Sequence, residues 1–277
     1  MKKIIVVTGA SSGMGASFAK QLAEESASFL KKGKAGAASD EIWIVARRQD
    51  RLESLKKEIE GMGEGIPLVR VIAMDISGSE GAKALGDLFS KEASAEGSIF
   101  INVLVNNAGF GTYGEFAETD IEREMEMVDL DCTSLTGITG YALPFMGKGS
   151  RIINTASLAS FLPLGNFAVY GACKAYVLSF TVALAAELKQ KGIRVTALCP
   201  GPVSTEFANV ASNGARKEVK HGLSADKTVA HCLRKSRRGS LYSLMALKWK
   251  IASWASKAVP RYTCAWFTYK FCKRPSN

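Results

Sequence analysis

Histidine is nearly missing from this 277-residue chain, which carries two, His221 and His231. Its six cysteines, at positions 132, 173, 199, 232, 264 and 272, form no C-x-x-C pair. A zinc site draws on clustered His and Cys, so no metal site is expected. The scattered cysteines are expected as buried thiols in a reducing compartment. No unbroken apolar run reaches the roughly 18–20 residues of a membrane-crossing helix. The apolar stretch Ile4–Val7 behind Met1-Lys2-Lys3 is too short for a signal peptide. The expected location is therefore cytoplasmic. An apolar content of 47%, a charged content of 22% and a mean hydropathy of +0.05 exclude a disordered or fibrous chain.

Acidic residues are scarce in one region only. Residues 1–210 hold 21 Lys and Arg against 24 Asp and Glu, whereas residues 211–277 hold 15 against 2. The net charge of +10 thus arises in the last quarter of the chain. A field so segregated belongs to an appendage, and no nucleic-acid partner is expected.

What the chain does have is alternation. Continuously apolar runs at Lys3–Thr8, Ile42–Ala46, Leu68–Ala73, Ile101–Val105, Arg151–Thr155 and Ile193–Leu198 read as strands covered on both faces. A seventh short strand fits near Ser240–Ser243. Helical segments fall between them at Gly15–Lys31, Gln49–Glu60, Glu80–Ser94, Asp120–Leu143 and Tyr170–Lys191. Such βαβ alternation specifies an α/β fold with a parallel, doubly wound sheet. Lys31–Asp40 reads as a surface loop that lengthens the first crossover.

The first strand runs into Thr8-Gly9-Ala10-Ser11-Ser12-Gly13-Met14-Gly15, which opens the first helix. Glycines here let the backbone turn sharply and approach a pyrophosphate, whose charge rests on the helix N-terminus. Further along stand Asn106-Asn107-Ala108-Gly109, then Ser157, then Tyr170-x-x-x-Lys174, then Cys199-Pro200-Gly201-Pro202-Val203-Ser204-Thr205. In the order and placing of these motifs, residues 1–210 resemble the short-chain dehydrogenase/reductase family.

The resemblance implies a Rossmann-type sheet of six to seven strands in the order 3-2-1-4-5-6-7, with helices on both faces. It also implies one dinucleotide-binding and catalytic domain over residues 1–277, with a basic, aromatic extension at about 244–277. Carried over position by position, the nicotinamide dinucleotide falls to Gly9, Ser11, Ser12, Gly13, Met14, Gly15, Asp75, Ile76, Asn107, Ala108, Gly109, Pro200, Gly201, Val203 and Thr205. Tyr170 and Lys174 would join them at the nicotinamide end. Ser157, Tyr170 and Lys174 are the implied catalytic residues. Many relatives place an asparagine on the helix before the serine, holding a water chiefly through its backbone carbonyl. Asp131 stands at that position here and would keep the carbonyl while adding charge near Lys174.

The chemistry of the set is readable from the residues. Tyr170 and Lys174, four apart, share a helix face. A phenol with an ordinary pKa of about 10 is a poor acid near neutrality, and an adjacent ammonium is expected to lower it. Spacing alone does not identify the set, because Ser256, Tyr269 and Lys273 repeat it. The repeat has no strand to deliver Ser256, and Pro260 interrupts any helix between, so the set at 157/170/174 is the expected site.

After the second strand, Arg47 and Arg48 replace the acidic residue that suits NAD. A guanidinium fork fits a 2′-phosphate, so NADP(H) is the expected cofactor and NAD(H) the less favoured one. Leu158, Phe161, Leu162, Pro163, Leu164, Phe167, Phe110 and Tyr113 are expected to line the substrate side. The function so indicated is an NADP(H)-dependent interconversion of a ketone and a secondary alcohol on a bulky, apolar substrate, steroid-like ones included. Alternatives are a 3-oxoacyl-thioester reductase and a non-catalytic dinucleotide sensor. A homo-oligomer, dimer or tetramer, is expected. The extension is expected to cover the crevice or contact protein, with binding to an anionic membrane surface and inert packing as the alternatives.

Overall fold

The computed structural model describes residues 1–277 apart from 217, 218, 220, 221, 257, 275 and 277, so His221 and Lys257 lie outside the described residues. Seven parallel strands form one sheet in the order β3-β2-β1-β4-β5-β6-β7. They are β1 Lys2–Thr8, β2 Glu41–Ala46, β3 Leu68–Ala73, β4 Ile99–Asn106, β5 Arg151–Thr155, β6 Arg194–Leu198 and the short β7 Tyr242–Ser243. The central strands are apolar on both sides because both sides are covered. Helices α1 (Gly13–Lys31), α2 (Gln49–Glu60) and α8 (Ala225–Arg237) cover one face, where Phe18, Leu22, Leu52 and Val229 meet Val7, Ile44 and Val105. On the other face α3 (Gly78–Ala95), α5 (Leu135–Ala142) and α6 (Ala168–Glu187) bring Leu85, Phe89, Ile138 and Leu184 against Ile4, Val6, Leu104 and Ile152.

Two expected helices change shape. The segment expected as one helix over Asp120–Leu143 is α4 (Ile121–Val128), a π-turn at Asp129–Ser134, then α5. The expected helix over Tyr170–Lys191 begins earlier, at Ala168, and stops at Glu187, with Gly192 turning at φ +71°. By length and a hydropathy of 1.5, α6 is long and apolar enough to cross a membrane although it is no unbroken apolar run. It buries Tyr170, Lys174, Val177, Thr181 and Leu184 instead, as a core helix does. The cysteines also depart from expectation: all six are free thiols, but only Cys173, Cys199 and Cys232 are buried, and Cys272 is exposed.

Beyond α7 (Phe207–Ala211) and α8, the chain ends in two short helices, α9 (Leu247–Ala255) and α10 (Arg261–Phe271). The sheet order reverses between β1 and β4, and crevices in such sheets open beyond the strand C-termini at this reversal.

Candidate active site

The loops after β1 and β4 meet at that reversal. Thr8 Oγ1 accepts the N–H groups of Asn107 (3.0 Å) and Ala108 (3.1 Å), and Asn107 Nδ2 donates back to Thr8 O (3.3 Å). Thr155 Oγ1 donates to Asn107 Oδ1 (3.3 Å), so the ends of β1, β4 and β5 are tied together. Gly9 turns here at φ +65°, and a Cβ on it would lie 2.7 Å from Ala108 Cα. That position admits glycine alone.

The N-terminus of α1 follows, with Ser12 as an extended N-cap whose side chain leaves the helix uncapped and with no acid in the first turn. Those are the conditions an anion needs at a helix N-terminus. Met14 and Ile76 pack into the two cores, Ile76 at 5% exposure, and Thr205 packs against Gly13. Pro200 accepts the N–H of Leu158 (2.9 Å), and Val203 bridges to Leu223. Asp75 caps Ser77 N (2.9 Å), which with the nearby Arg47 holds its carboxyl below the usual range although burial opposes this.

The two arginines differ. Arg47 is exposed and reaches Asp75 at only 3.8 Å. Arg48 arches over the glycine loop, donating to Ser11 Oγ (3.0 Å), Ser12 Oγ (3.0 Å) and Glu206 (3.2 Å). Glu206 also holds Arg51, and these bonds depress its pKa. Glu206 and Arg51 were not anticipated. The only trace of them in the sequence is that both flank motifs, one four residues past Arg47 and one just after Thr205.

The catalytic candidates converge beneath this loop. Lys174, 5% exposed, places Nζ 2.8 Å from Asp131 Oδ2 and 3.2 Å from Thr155 O. The pairing with Asp131 is an ion contact without an aligned hydrogen bond. The other oxygen, Oδ1, accepts Phe110 N at 3.1 Å. Asp131 was expected to keep its carbonyl role and to add charge near Lys174, and its buried side chain engages the lysine directly. The π-turn moves it there, and Gly109, bearing no side chain, leaves room for the carboxylate.

Burial pushes the Lys174 ammonium down, but Asp131 and Tyr170 outweigh it, and the group sits above its ordinary value. Burial likewise raises Asp131 more than Lys174 lowers it. For Tyr170 the expected lowering is corrected. Burial raises the phenol, Lys174 and the Ser157 hydroxyl pull it down, and Asp131 adds to the rise, leaving it above the ordinary value.

Tyr170 is only 7% exposed, because aromatic rings wall it. Phe167 stacks on it with centroids 4.1 Å apart at 15°, Phe207 lies at 5.4 Å, and Tyr113 meets Phe167 edge-on at 4.7 Å. Phe110 and Leu164 complete the cluster. Leu158 and Phe161 do not join it. They pack with Leu244 and Trp249 beneath the C-terminal segment, away from the phenol.

That segment roofs the crevice. Thr268 Oγ1 accepts Gly165 N (2.9 Å), Asn166 Nδ2 donates to Tyr269 O (2.9 Å), and Arg274 donates to Gly165 O (3.0 Å). The Arg274 guanidinium also lies 5.2 Å over the Phe167 ring. Trp249 sits so close to Gly201 that a Cβ there would lie 2.5 Å from its Nε1. That buried indole N–H has no hydrogen-bond partner among the described residues.

The repeat at 256/269/273 is not assembled. Ser256 bonds Ser253 O within α9, while Tyr269 and Lys273 both turn outward to Glu115. A cavity of about 630 Å³ opens elsewhere, among Leu22, Phe29, Phe100 and Arg151. It shares no residue with the crevice, so volume does not mark the chemistry here.

Comparison with known proteins agrees with this geometry. The short chain dehydrogenase family model matches residues 3–215. Sulfoacetaldehyde reductase of Chromohalobacter salexigens is 34% identical over 218 residues, covering 77% of this chain and 78% of that protein. The very-long-chain 3-oxoacyl-CoA reductase of Rattus norvegicus is 32% identical over 212 residues, covering 74% and 61%. A short-chain dehydrogenase from Sphingobium yanoikuyae in complex with NADPH superposes with a TM-score of 0.73 at 26% identity, covering 92% and 94%.

Proposed function

The chain belongs to the short chain dehydrogenase family, oxidoreductases acting between CH–OH and C=O groups, and we propose that its substrate is a bulky apolar ketone or secondary alcohol with NADP(H) as cofactor. The observation that carries this reading is Tyr170, its phenol beside Lys174 and Ser157 and its ring enclosed by Phe167, Phe207 and Tyr113. A polar substrate would lose its hydration in such an enclosure without recovering hydrogen bonds.

The residues around the glycine loop fit a dinucleotide. The uncapped N-terminus of α1 suits the pyrophosphate, and Gly9 leaves its backbone open to approach. Arg47, exposed and weakly paired, is free to take a 2′-phosphate, with Arg48 beside it held on Ser11 and Ser12. The neighbour from Sphingobium yanoikuyae, bound to NADPH, supports the same choice.

Bound NADPH supplies the hydride in reduction, and NADP⁺ accepts it in the reverse direction. In reduction, Tyr170 gives its hydroxyl proton to the carbonyl oxygen as that oxygen gains charge. Ser157 holds the same oxygen by a hydrogen bond. Lys174 stabilises the resulting phenolate electrostatically, held in place by its ion pair with Asp131 and its hydrogen bond to Thr155 O. Asp131 acts through Lys174, fixing its position and keeping it charged.

A second reading, a 3-oxoacyl-thioester reductase, is favoured by the rat relative, and its substrate carries the same ketone beside a thioester. A non-catalytic sensor has no need of Ser157, Tyr170 and Lys174 gathered at one phenol. The test is a panel of steroid ketones, aryl ketones, 3-oxoacyl thioesters and small polar aldehydes, followed by NADPH absorbance. Highest kcat/KM is expected on the apolar ketones. Turnover confined to small polar aldehydes, or faster with NADH, contradicts the proposal.

A further inference from the structure

We infer that α9 and α10 are a peripheral membrane-docking surface whose outer faces seat the protein on an anionic lipid bilayer. Their inner sides are committed to the crevice, through Trp249 on Gly201 and through Thr268 and Tyr269 on Gly165 and Asn166. Their outer sides are apolar where a soluble surface is polar. On α9, Leu247, Ile251 and Trp254 are 71%, 59% and 74% exposed. Their spacing of four and then three residues puts them on one helical stripe. On α10, Trp266, Phe267 and Phe271 are 47%, 54% and 59% exposed. The Phe271 ring joins the other two, its centroid 5.0 Å from Phe267 and 6.2 Å from Trp266. An exposed aromatic cluster of this kind marks an interaction surface.

Charge selects the occupant. Residues 244–277 contain seven Lys and Arg and no Asp or Glu. The Lys270 ammonium lies 4.9 Å from the centroid of the exposed Trp266 ring, and the Lys248 ammonium 4.7 Å from that of Trp249, so cations stand beside aromatic rings. That is the arrangement a headgroup layer accepts, rings at the acyl boundary and cations at the phosphates. A second copy of this chain would present the same cationic face in a two-fold contact, setting like charges together. The helices do not cross the bilayer. Nine and eleven residues reach about 14–17 Å, against a hydrocarbon core of about 30 Å. They lie in the interface plane.

Docking brings the crevice roof to the lipid and so offers a bilayer-dissolved ketone direct entry. This extension rests on the ketone-reductase reading above, whereas the docking itself does not.

The test floats the full-length protein with vesicles of phosphatidylcholine alone or mixed with phosphatidylglycerol, at low and high salt. Flotation with the anionic vesicles, weakened by salt, is expected, with a blue shift of tryptophan emission. The exposed pairs Lys250→Gln with Lys270→Gln, and Trp254→Ser with Phe271→Ser, are each expected to lower partitioning at least about tenfold. Both variants should keep a wild-type circular dichroism spectrum and normal turnover of a water-soluble ketone. Absence of flotation on anionic vesicles overturns the inference. So does a concentration-dependent dimer that the Trp254→Ser, Phe271→Ser variant abolishes while flotation is absent, which would assign this face to a second copy. Normal flotation with no turnover of any ketone would instead strike the catalytic reading and leave the docking intact.

Discussion

Ser157, Tyr170 and Lys174 have counterparts in Ser256, Tyr269 and Lys273, at the same intervals of thirteen and four residues. In the first set a strand delivers the serine, and the tyrosine and lysine are 7% and 5% exposed. The lysine faces a buried carboxylate at 2.8 Å. In the second set the serine caps its own helix, the tyrosine is 42% exposed, and the lysine approaches Glu115 at 3.8 Å in the open. An interval of four states only that two residues share a helix face. Reactivity comes from exclusion of water, which strengthens every charge–charge term around the phenol. Of the second set, Tyr269 contributes its backbone carbonyl to the roof over the first, beside the hydroxyl of its neighbour Thr268.

The contrast is sharpest in stability. Lys174→Met leaves Asp131 buried without its partner and is expected to cost about 3–5 kcal/mol. Lys273→Met removes an exposed pair with Glu115 and an exposed contact over the Tyr269 ring, and should stay within about 0.5 kcal/mol. Urea denaturation at neutral pH measures both, and equal losses would mean that the two environments do not differ as described.

The first set also has the glycine-rich turn of residues 8–15 beside it, tied to it through Asn107 and Thr155. Arg47→Asp is expected to weaken NADPH binding by about 1.5–3 kcal/mol, the scale of a charge-assisted hydrogen bond, and to spare NADH. Fluorescence titration with both cofactors checks this. An unchanged NADPH affinity would shift the role to Arg48, already bonded to the loop.

A smaller effect is expected from Asp131→Asn. The carboxylate raises Tyr170, so its removal lowers the phenol. In alcohol oxidation Tyr170 must be deprotonated to accept the proton, and the rate rises with pH through its titration. The rising limb should therefore move to lower pH in the variant, with substantial activity retained. A limb that stays in place would show that Asp131 is neutral in the working enzyme.

Much of this was legible because local pattern and tertiary role coincide. The strands are apolar on both faces since helices cover both, and the sheet follows from alternation alone. Asp131 was legible as a departure that adds charge near Lys174, but not as its direct ion-pair partner. Its side-chain direction depends on a π-turn that no spacing announces. The bond from Arg48 to Glu206 spans 158 residues and exists only once β2 and β6 share a sheet. Leu158 and Phe161 were misassigned for a similar reason. Apolar residues in a crevice loop face either the crevice or whatever covers it, and here Trp249 and Leu244 cover them.

The most direct test places Tyr170→Phe and Tyr269→Phe side by side, measuring kcat on one apolar ketone by NADPH absorbance and NADPH affinity by fluorescence. Tyr170→Phe is expected to lose about 10²–10⁴-fold or more in kcat with cofactor affinity nearly unchanged, since only the acidic proton is removed. Tyr269→Phe, losing one exposed bond to Glu115, is expected to keep wild-type kcat. Comparable losses in both variants, or none in Tyr170→Phe, would contradict the assignment of the chemistry to the buried set.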